Sequence, residues 1–367
     1  MKIGILTSSR ADYGIYLPLL QQLKKDTFFQ LEIIAFGTHL SKTHGYTLYN
    51  IKKDGYARIH EITSLGDDDS QKGIGTSYGN TVLKFSNFWQ NHSFDLVFCL
   101  GDRFEMSAAV QASIPFVVKL AHIHGGETTL GAIDNIYRHQ ITLASQLHFV
   151  STSCYKKKVE ALTGTSHHIY DVGALSLDNI SSFKLISRST FMETFQMKNG
   201  AFALVTFHPE TVAVDANIAY ARHMRNALAE LSHTLNIIVT MPNADTLGSV
   251  YREQLHQLKN DHPDNILLIE NFGKLNYFSA MHYASLLIGN SSSGIIEAAS
   301  FNKYVINVGS RQKGRAHGAN VFDVEFDSKK IVEKTNQVFK LPDFDDINIY
   351  YKSNTAETII KTIKHYV

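Results

Sequence analysis

The 367-residue chain has two cysteines, Cys99 and Cys154, and almost no excess of either charge, since 35 Lys and Arg against 34 Asp and Glu leave +1. Two cysteines make no disulfide framework, and their spacing is not a zinc motif. The balance of charge removes the basic footprint of a chain that binds nucleic acid or an anionic membrane. Long apolar runs are missing as well. Stretches such as residues 94–100 have strand length, far short of the roughly 20 residues that span a bilayer. No apolar h-region follows Met1, and residues 3–7 open directly as a strand, so a cytoplasmic protein without a membrane anchor is expected. What is present is apolar bulk, 44% of the chain, which fills cores and excludes disorder. The length suggests two domains of about 150 residues each. Histidine is plentiful, at 18 residues, in a chain otherwise near neutral.

Short runs rich in Val, Ile and Phe alternate with longer amphipathic stretches. Residues 3–7, 31–36, 94–100, 116–120 and 147–150 read as buried strands, and 201–206, 236–240, 265–269, 285–288 and 304–308 as a second set. Helical spacing lies between, as in Tyr16, Leu19, Leu20 and Leu23. Repetition of strand, crossover helix and strand predicts parallel sheets with helices on both faces. The fold class is therefore α/β, with two Rossmann-like doubly wound domains, residues 1–172 and 173–354. A polar stretch near 172–200, with Ser181, Ser182, Ser187, Ser189, Lys198, Asn199 and Gly200, contains the joint. Ligands of such folds bind at the carboxyl ends of the strands, here expected in a cleft between the domains. Residues 63–80, with Gly66, Gly73, Gly75 and Gly79, read as a glycine-rich loop, either a lid over that cleft or a surface excursion.

Polar constellations follow the strands. Ser8, Ser9 and Arg10 lead into a helix expected near Ile15, a place for phosphate or simply a helix cap with a surface arginine. There is no P-loop and no G-x-G-x-x-G fingerprint, which disfavours NAD. The strand 285–288 runs into Gly289, Asn290, Ser291, Ser292, Ser293 and Gly294 and then a helix. Backbone N–H groups and three hydroxyls there suit a diphosphate, and three serines exceed what capping requires. Glu297, one turn on, can grip a ribose diol. Arg311, Lys313 and Arg315 suit diphosphate neutralisation, or form a solvated basic loop. The densest set lies in the first half: Asp102, Arg103 and Glu105 after one strand, His122, His124 and Glu127 after the next, then Asp134 one helical turn before Arg138 and His139. Carboxylates and imidazoles in a partly desolvated site can be driven to different pKa values, one acid and one base. His208 holds the same strand-end position in the second half. The spacing of His122, His124 and His139 permits a metal site, but nothing else in the pattern requires a metal, and none is expected.

Together these segments resemble the UDP-N-acetylglucosamine 2-epimerases, particularly the hydrolysing branch that supplies N-acetylmannosamine or a modified analogue for sialic-acid-like sugars. The likeness runs in order through Ser8-Ser9-Arg10-Ala11-Asp12-Tyr13, Gly101-Asp102-Arg103-Phe104-Glu105, His122 to Glu127, and Ile133-Asp134 with Arg138-His139. It continues through Thr206-Phe207-His208-Pro209-Glu210, Gly289 to Glu297, Arg311 to Val321 and Asn354-Thr355-Ala356-Glu357. The resemblance implies a GT-B-like pair of domains, with residues 355–367 packing back on the first. It also implies a homodimer, a UDP-sugar substrate and no redox cofactor. Arg10, His208, Ser291, Ser292, Arg311 and Arg315 match positions at or near the diphosphate, and Glu297 matches the ribose-binding carboxylate. Ser293, Arg138 and His139 complete the expected substrate-binding set. Asp102 and Asp134 match two catalytic carboxylates, and His208 joins the proton-transfer candidates.

Two departures bear on mechanism. Where the family commonly has a third catalytic Glu, just ahead of the Gly-Gly, this chain has His124, and the nearest carboxylate is Glu127. Either can move the proton. The Gln-His and His-Arg-x-Glu-Asn segments of the non-hydrolysing branch are replaced by Gly37-Thr38-His39-Leu40-Ser41 and His208-Pro209-Glu210-Thr211, which favours hydrolysis. The sugar, N-acetylglucosamine or a 2,4-diacetamido-6-deoxy relative, is left open, and UDP rather than GDP rests on the resemblance alone. A GT-B glycosyltransferase or a non-catalytic sugar-nucleotide sensor would share the same fold.

Overall fold

The computed structural model describes the chain apart from His44, Asn179, Asn199, residues 243–246 and Val367. Asn199, counted in the expected joint, therefore lies outside the described residues. Two compact units are present: one of Met1–Glu127, Ile133–Asn179 and Tyr350–Val367, the other of Thr128–Ala132 and Ile180–Ile349. The first unit runs β1 (Lys2–Thr7), α1 (Arg10–Lys25), β2 (Gln30–Phe36), α2 (Leu48–Lys53), β3 (Ile59–Ile62), α3 (Gln71–Asn91) and β4 (Leu96–Leu100). It continues through α4 (Phe104–Gln111), β5 (Leu120–Ile123), α5 (Asp134–Ala144), β6 (Leu147–Val150), α6 (Ser153–Thr163) and β7 (Ile169–Asp171). The second unit holds α7 (Arg188–Thr194), β8 (Phe202–Thr206), α8 (Asn217–Leu231), β9 (Asn236–Thr240), α9 (Gly248–Asp261) and β10 (Ile266–Ile269). After these come α10 (Gly273–Tyr283), β11 (Leu286–Gly289), α11 (Ser292–Ile296), β12 (Val305–Val308), β13 (Val321–Val324) and α12 (Ser328–Val338), and α13 (Thr355–Tyr366) returns to the first unit.

The first sheet has the order β3-β2-β1-β4-β5-β6-β7 and the second β10-β9-β8-β11-β12-β13, with every pairing parallel. Both sheets are therefore doubly wound, as the alternation of apolar runs requires. Strand order reverses between β1 and β4 in the first unit and between β8 and β11 in the second. At such a reversal the two connections leave on opposite faces and open a crevice at the carboxyl ends, where ligands of this fold class sit. In the first unit Ile359, Ile360 and Ile363 of α13 pack with Leu19, Leu20 and Leu23 of α1 in one fully buried cluster. Each such aliphatic side chain contributes about 1.5–3 kcal/mol.

Several sequence expectations are corrected. Residues 63–80 are not a loop throughout, because α3 begins at Gln71 and takes in Gly73, Gly75 and Gly79. Ser70 caps that helix by accepting from the Gly73 amide at 3.1 Å, and Ser77, Thr81, Phe85 and Phe88 form its buried stripe at helical spacing. Gly73 is required there, since a Cβ would lie 2.2 Å from the Asp68 carbonyl oxygen. The strand expected at 116–120 is β5, Leu120–Ile123, and Ile114–Phe116 forms an exposed 3₁₀ turn before it. The helix expected near Ile15 starts at Arg10. Strands β3, β7 and β13 were not anticipated. All three are sheet edges of three or four residues, too short and too polar for an apolar run.

Candidate functional site

In the first unit the reversal delivers two segments. After β1, Ser9 is the N-cap of α1, and Asp12 closes a capping box with it. Asp12 accepts from the Ser8 amide and hydroxyl at 2.9 and 2.7 Å and from the Ser9 hydroxyl at 2.8 Å, so both serines are committed to the cap. Arg10, half-buried in the first turn, is the residue of this segment suited to an anion.

After β4, Gly101 turns the chain at φ 75° and presents Asp102. His122, at 0% exposure on β5, pegs that turn by donating from Nε2 to the Gly101 carbonyl at 2.9 Å, with Thr142 beside Nδ1 at 3.1 Å. Burial holds the His122 pKa well below the usual imidazole range, so it is a neutral structural peg. Beyond β5 the backbone bends sharply, with His124 at φ 66° and Gly126 at φ 78°. This turn brings His124 Nδ1 to 2.5 Å from Glu127 Oε1, both side chains buried. Ser151, just past β6, donates to the same Glu127 oxygen at 2.8 Å.

Arg138 ties the cluster together. It is 2% exposed, and its guanidinium donates to the His124 carbonyl at 2.8 Å, pairs with Asp102, and lies 3.7 Å from Glu127 Oε2. The sequence offered Arg138 as a substrate-binding residue, whereas these partners make it the internal counter-charge of two carboxylates. Asp134 stands one turn earlier on the same side of α5, in its first turn, where the helix N-terminus favours a carboxylate. His139 is half-buried, with Nδ1 enclosed and without a hydrogen-bond partner among the described residues and Nε2 3.3 Å from Asn135, and burial lowers its pKa. Nearby, Glu105 is fully buried against Arg103 at 3.0 Å, and burial raises its carboxyl pKa. Among the described residues no group of three or more His, Cys, Asp and Glu side chains is arranged to hold a metal ion.

In the second unit the reversal delivers a different chemistry. β8 and β11 meet with Thr206 opposite Gly289, which has φ 142° and no room for a side chain, since a Cβ would lie 1.9 Å from the Thr206 carbonyl oxygen. Asn290 then clamps His208 through both backbone groups, accepting from its amide at 2.7 Å and donating to its carbonyl at 2.8 Å. The Asn290 carbonyl receives Arg311 Nη1 at 3.2 Å and Gln312 Nε2 at 2.8 Å. Glu210, 1% exposed, accepts from the Ser310 hydroxyl at 2.7 Å and the Arg311 amide at 3.1 Å. The segment carrying Arg311 and the buried Arg315 is therefore pinned, where a solvated loop was one expectation.

The three serines divide their work. Ser291 caps α11, Ser293 bonds to the Tyr277 hydroxyl, and Ser292 has no hydrogen-bond partner among the described residues. Burial pushes the Tyr277 pKa up to about 12, so it stays neutral. Helix α11 has only five residues, and Glu297 is its C-cap rather than a residue one turn into a longer helix. A five-residue helix carries little macrodipole, so anion affinity here must come from individual N–H and O–H donors. Sequence reasoning missed Ser151 and Tyr277, and Asn290 and Glu210 stood in its motifs without a role of their own. Asn290 and Glu210 carried a signal, a polar residue just past a buried strand, whereas Ser151 and Tyr277 carried none.

Two Rossmann-like doubly wound domains, one with an acid–base cluster and one with a hydroxyl-lined strand end at the reversal, define the GT-B-like class. The sequence model of the UDP-N-acetylglucosamine 2-epimerase family matches residues 21–364. The UDP-N,N'-diacetylbacillosamine 2-epimerase (hydrolyzing) of Legionella pneumophila is 33% identical over 99% of this chain and 95% of its own. The polysialic acid biosynthesis protein P7 of Escherichia coli is 31% identical over 100% and 94%. The crystal structure of UDP-GlcNAc 2-epimerase from Neisseria meningitidis bound to UDP-GlcNAc has the same fold, at TM-score 0.83, 17% identity and full coverage of both chains. The chain belongs to the UDP-N-acetylglucosamine 2-epimerase family, to its hydrolysing branch, and is an enzyme.

Proposed function

We propose that the enzyme converts a UDP-activated 2-acetamido sugar and water to UDP and the free 2-epimer. The observation that carries this reading is the cluster at the ends of β4 and β5, where Asp102, His124 and Glu127 gather around one buried arginine. Acids and bases so placed suit proton transfer at carbon. The C2 proton is poorly acidic, so cleavage of the anomeric C1–O bond leads and builds positive charge at C1, which nearby carboxylates stabilise. A base removes the C2 proton, giving a 2-acetamidoglycal and UDP. Water then adds at C1 while a proton returns to C2 on the opposite face. Asp102 and Asp134 serve this acid–base chemistry.

The second unit holds the nucleotide in this reading. Arg311, Arg315, His208 and the hydroxyls of Ser291, Ser292 and Ser293 take the diphosphate, and Glu297 takes the ribose; Arg10 is the first unit's own anion-binding candidate. His139 lies with the sugar-binding set. The reaction is redox-neutral and calls for no redox cofactor. Names of the relatives support two sugars, N-acetylglucosamine and the 2,4-diacetamido relative, and one of them names polysialic acid biosynthesis; a role in making sialic-acid-like or legionaminic-type acids is part of the proposal. A homodimer and a cytoplasmic location belong to the same proposal. Exposed Leu83, Ile114, Val117 and Leu143 in the first unit suit a protein contact, and both cysteines are free thiols. No helix among the described residues is long and apolar enough to cross a membrane.

The test is incubation of the protein with each UDP-sugar in D₂O without an acceptor. UDP release with deuterium at C2 of a free 2-epimer is expected. Release only when an acceptor is added would make the protein a glycosyltransferase. Tight binding without turnover would make it a sensor.

A further inference from the structure

His124 and Glu127 do not compete for one role. We infer that they form a dyad in which His124 Nε2 is the base that takes the C2 proton, while Glu127 is a positioning residue that does not touch the sugar. The assignment rests on the functional reading above and adds a division of labour to it. Glu127 is 2% exposed and fully engaged, with His124 at 2.5 Å and Ser151 at 2.8 Å on Oε1 and the Arg138 guanidinium 3.7 Å from Oε2. A carboxylate so surrounded accepts and cannot donate, so the proton between the pair belongs to His124 Nδ1. Nε2 then carries the lone pair. It is enclosed, in a residue only 5% exposed, and has no hydrogen-bond partner among the described residues. A buried, unsatisfied acceptor is costly unless a ligand completes it.

The backbone adds an independent observation. His124 occupies the left-handed region, at φ 66°, which is uncommon for any residue but glycine and is found disproportionately at functional sites. Arg138 holds that conformation through the His124 carbonyl, at 2.8 Å. The same guanidinium thus fixes the base's main chain and the carboxylate that orients its ring. Proton abstraction balances as follows. The C2–H electron pair becomes the C1–C2 π bond, the C1–O pair leaves with UDP, and the proton goes to Nε2. Glu127 offsets the imidazolium that forms. In the second half-reaction water gives its hydroxyl to C1, a different acid protonates C2 on the other face, and water's proton restores that acid. The proton on Nε2 passes to solvent as UDP departs.

The experiment compares His124→Gln, Glu127→Gln and the double variant, with UDP affinity as the check on folding. His124→Gln is expected to lower kcat by about 10³-fold and Glu127→Gln by about 10²-fold, each with KM within about threefold of wild type. The double variant should be no slower than His124→Gln, because a base and its orienting partner fail as one unit. UDP release and epimer formation should fall together. In His124→Gln, continued UDP release with 2-acetamidoglycal accumulating would overturn the assignment, since His124 would then act only in reprotonation. Losses that multiply in the double variant, or wild-type turnover in either single variant, would overturn the dyad. Wild-type protein releasing no UDP from either sugar nucleotide would instead overturn the functional reading and this assignment with it.

Discussion

The two reversal points are the same piece of architecture filled with opposite chemistry. In the first unit β4, at the reversal, and its neighbour β5 carry Asp102, His124 and Glu127 past their ends, with an arginine at 2% exposure neutralising two of them. At β8 and β11 of the second unit the strand ends carry an asparagine clamp, serine hydroxyls and a glycine pressed against a carbonyl, with the Arg311 main chain held at the edge by Glu210. Titratable groups out of water suit proton transfer, because burial separates their pKa values. Fixed dipoles suit a group that arrives already charged and must leave again, because they bind without becoming charged themselves. A parallel sheet supplies the location in both cases, and the few residues past each strand decide what happens there.

The sharpest way to break the comparison is to remove the tight approach on which the second unit depends. Gly289→Ala places a methyl 1.9 Å from the Thr206 carbonyl oxygen, at a φ that disfavours any side chain. The expected cost is on the order of 3–5 kcal/mol to the second unit, with loss of UDP binding. Trp89, the only tryptophan, is buried in the first unit, so its fluorescence should keep its native spectrum while far-UV circular dichroism falls. A shift of Trp89 fluorescence at the same temperature as the circular dichroism would show that the units do not fold independently.

Next in size are the carboxylates. Asp102→Asn and Asp134→Asn should each lower turnover by about 10²-fold or more and leave the UDP dissociation constant within about threefold. Loss of UDP affinity with turnover preserved would reverse the roles of the two strand-end sets.

Acid should separate the units as well. In the first unit burial lowers the pKa of His39 and His148 to about 4 and holds that of His122 well below the usual imidazole range, whereas His282, lowered in the second, is exposed. The unfolded chain protonates these imidazoles near 6.5, and the folded one does not until about 4. Between those values the unfolded state binds more protons, so stability falls as pH drops through that window. Trp89 fluorescence should therefore report loss of the first unit at a higher pH than the loss of UDP binding by the second. The opposite order would mean that these histidines are not buried neutral.

How much of this was legible depended on burial and on distance along the chain. Strands at 147–150 and 236–240 were read to the residue, because an interior parallel strand is apolar on both faces. The edges β3, β7 and β13 were missed for the converse reason, and α3 was hidden by three glycines, of which Gly73 is required by close packing against Asp68. Membership of the cluster was readable, since Asp102, His124, Glu127 and Asp134 each follow a strand or open a helix. Its wiring was not. That His124 pairs with Glu127 depends on a left-handed residue the sequence does not announce, and that Arg138 points inward depends on which carboxylates meet it. Arg138 looked like a ligand for anions because it is an anion's partner; the anions are the protein's own.

The smallest predicted effect tests the other half of the comparison. Of the three serines after β11, Ser291 is needed for the α11 cap and Ser293 for Tyr277, so removing either disturbs the fold along with the ligand. Ser292 has no internal partner among the described residues and stands in the first position of that short helix, so its hydroxyl is the donor free to meet a phosphate oxygen. Ser292→Ala should weaken UDP binding by about 0.5–1.5 kcal/mol, or roughly twofold to thirteenfold, without altering thermal stability or the kcat of the saturated enzyme. Titration calorimetry with UDP alone measures this. Unchanged affinity would assign the diphosphate to Arg311, Arg315 and backbone amides, whereas a kcat loss at saturation would mean that the hydroxyl acts on the leaving group only as charge develops there. The second unit would then share in catalysis, and the contrast between a reacting domain and a holding domain would be one of degree.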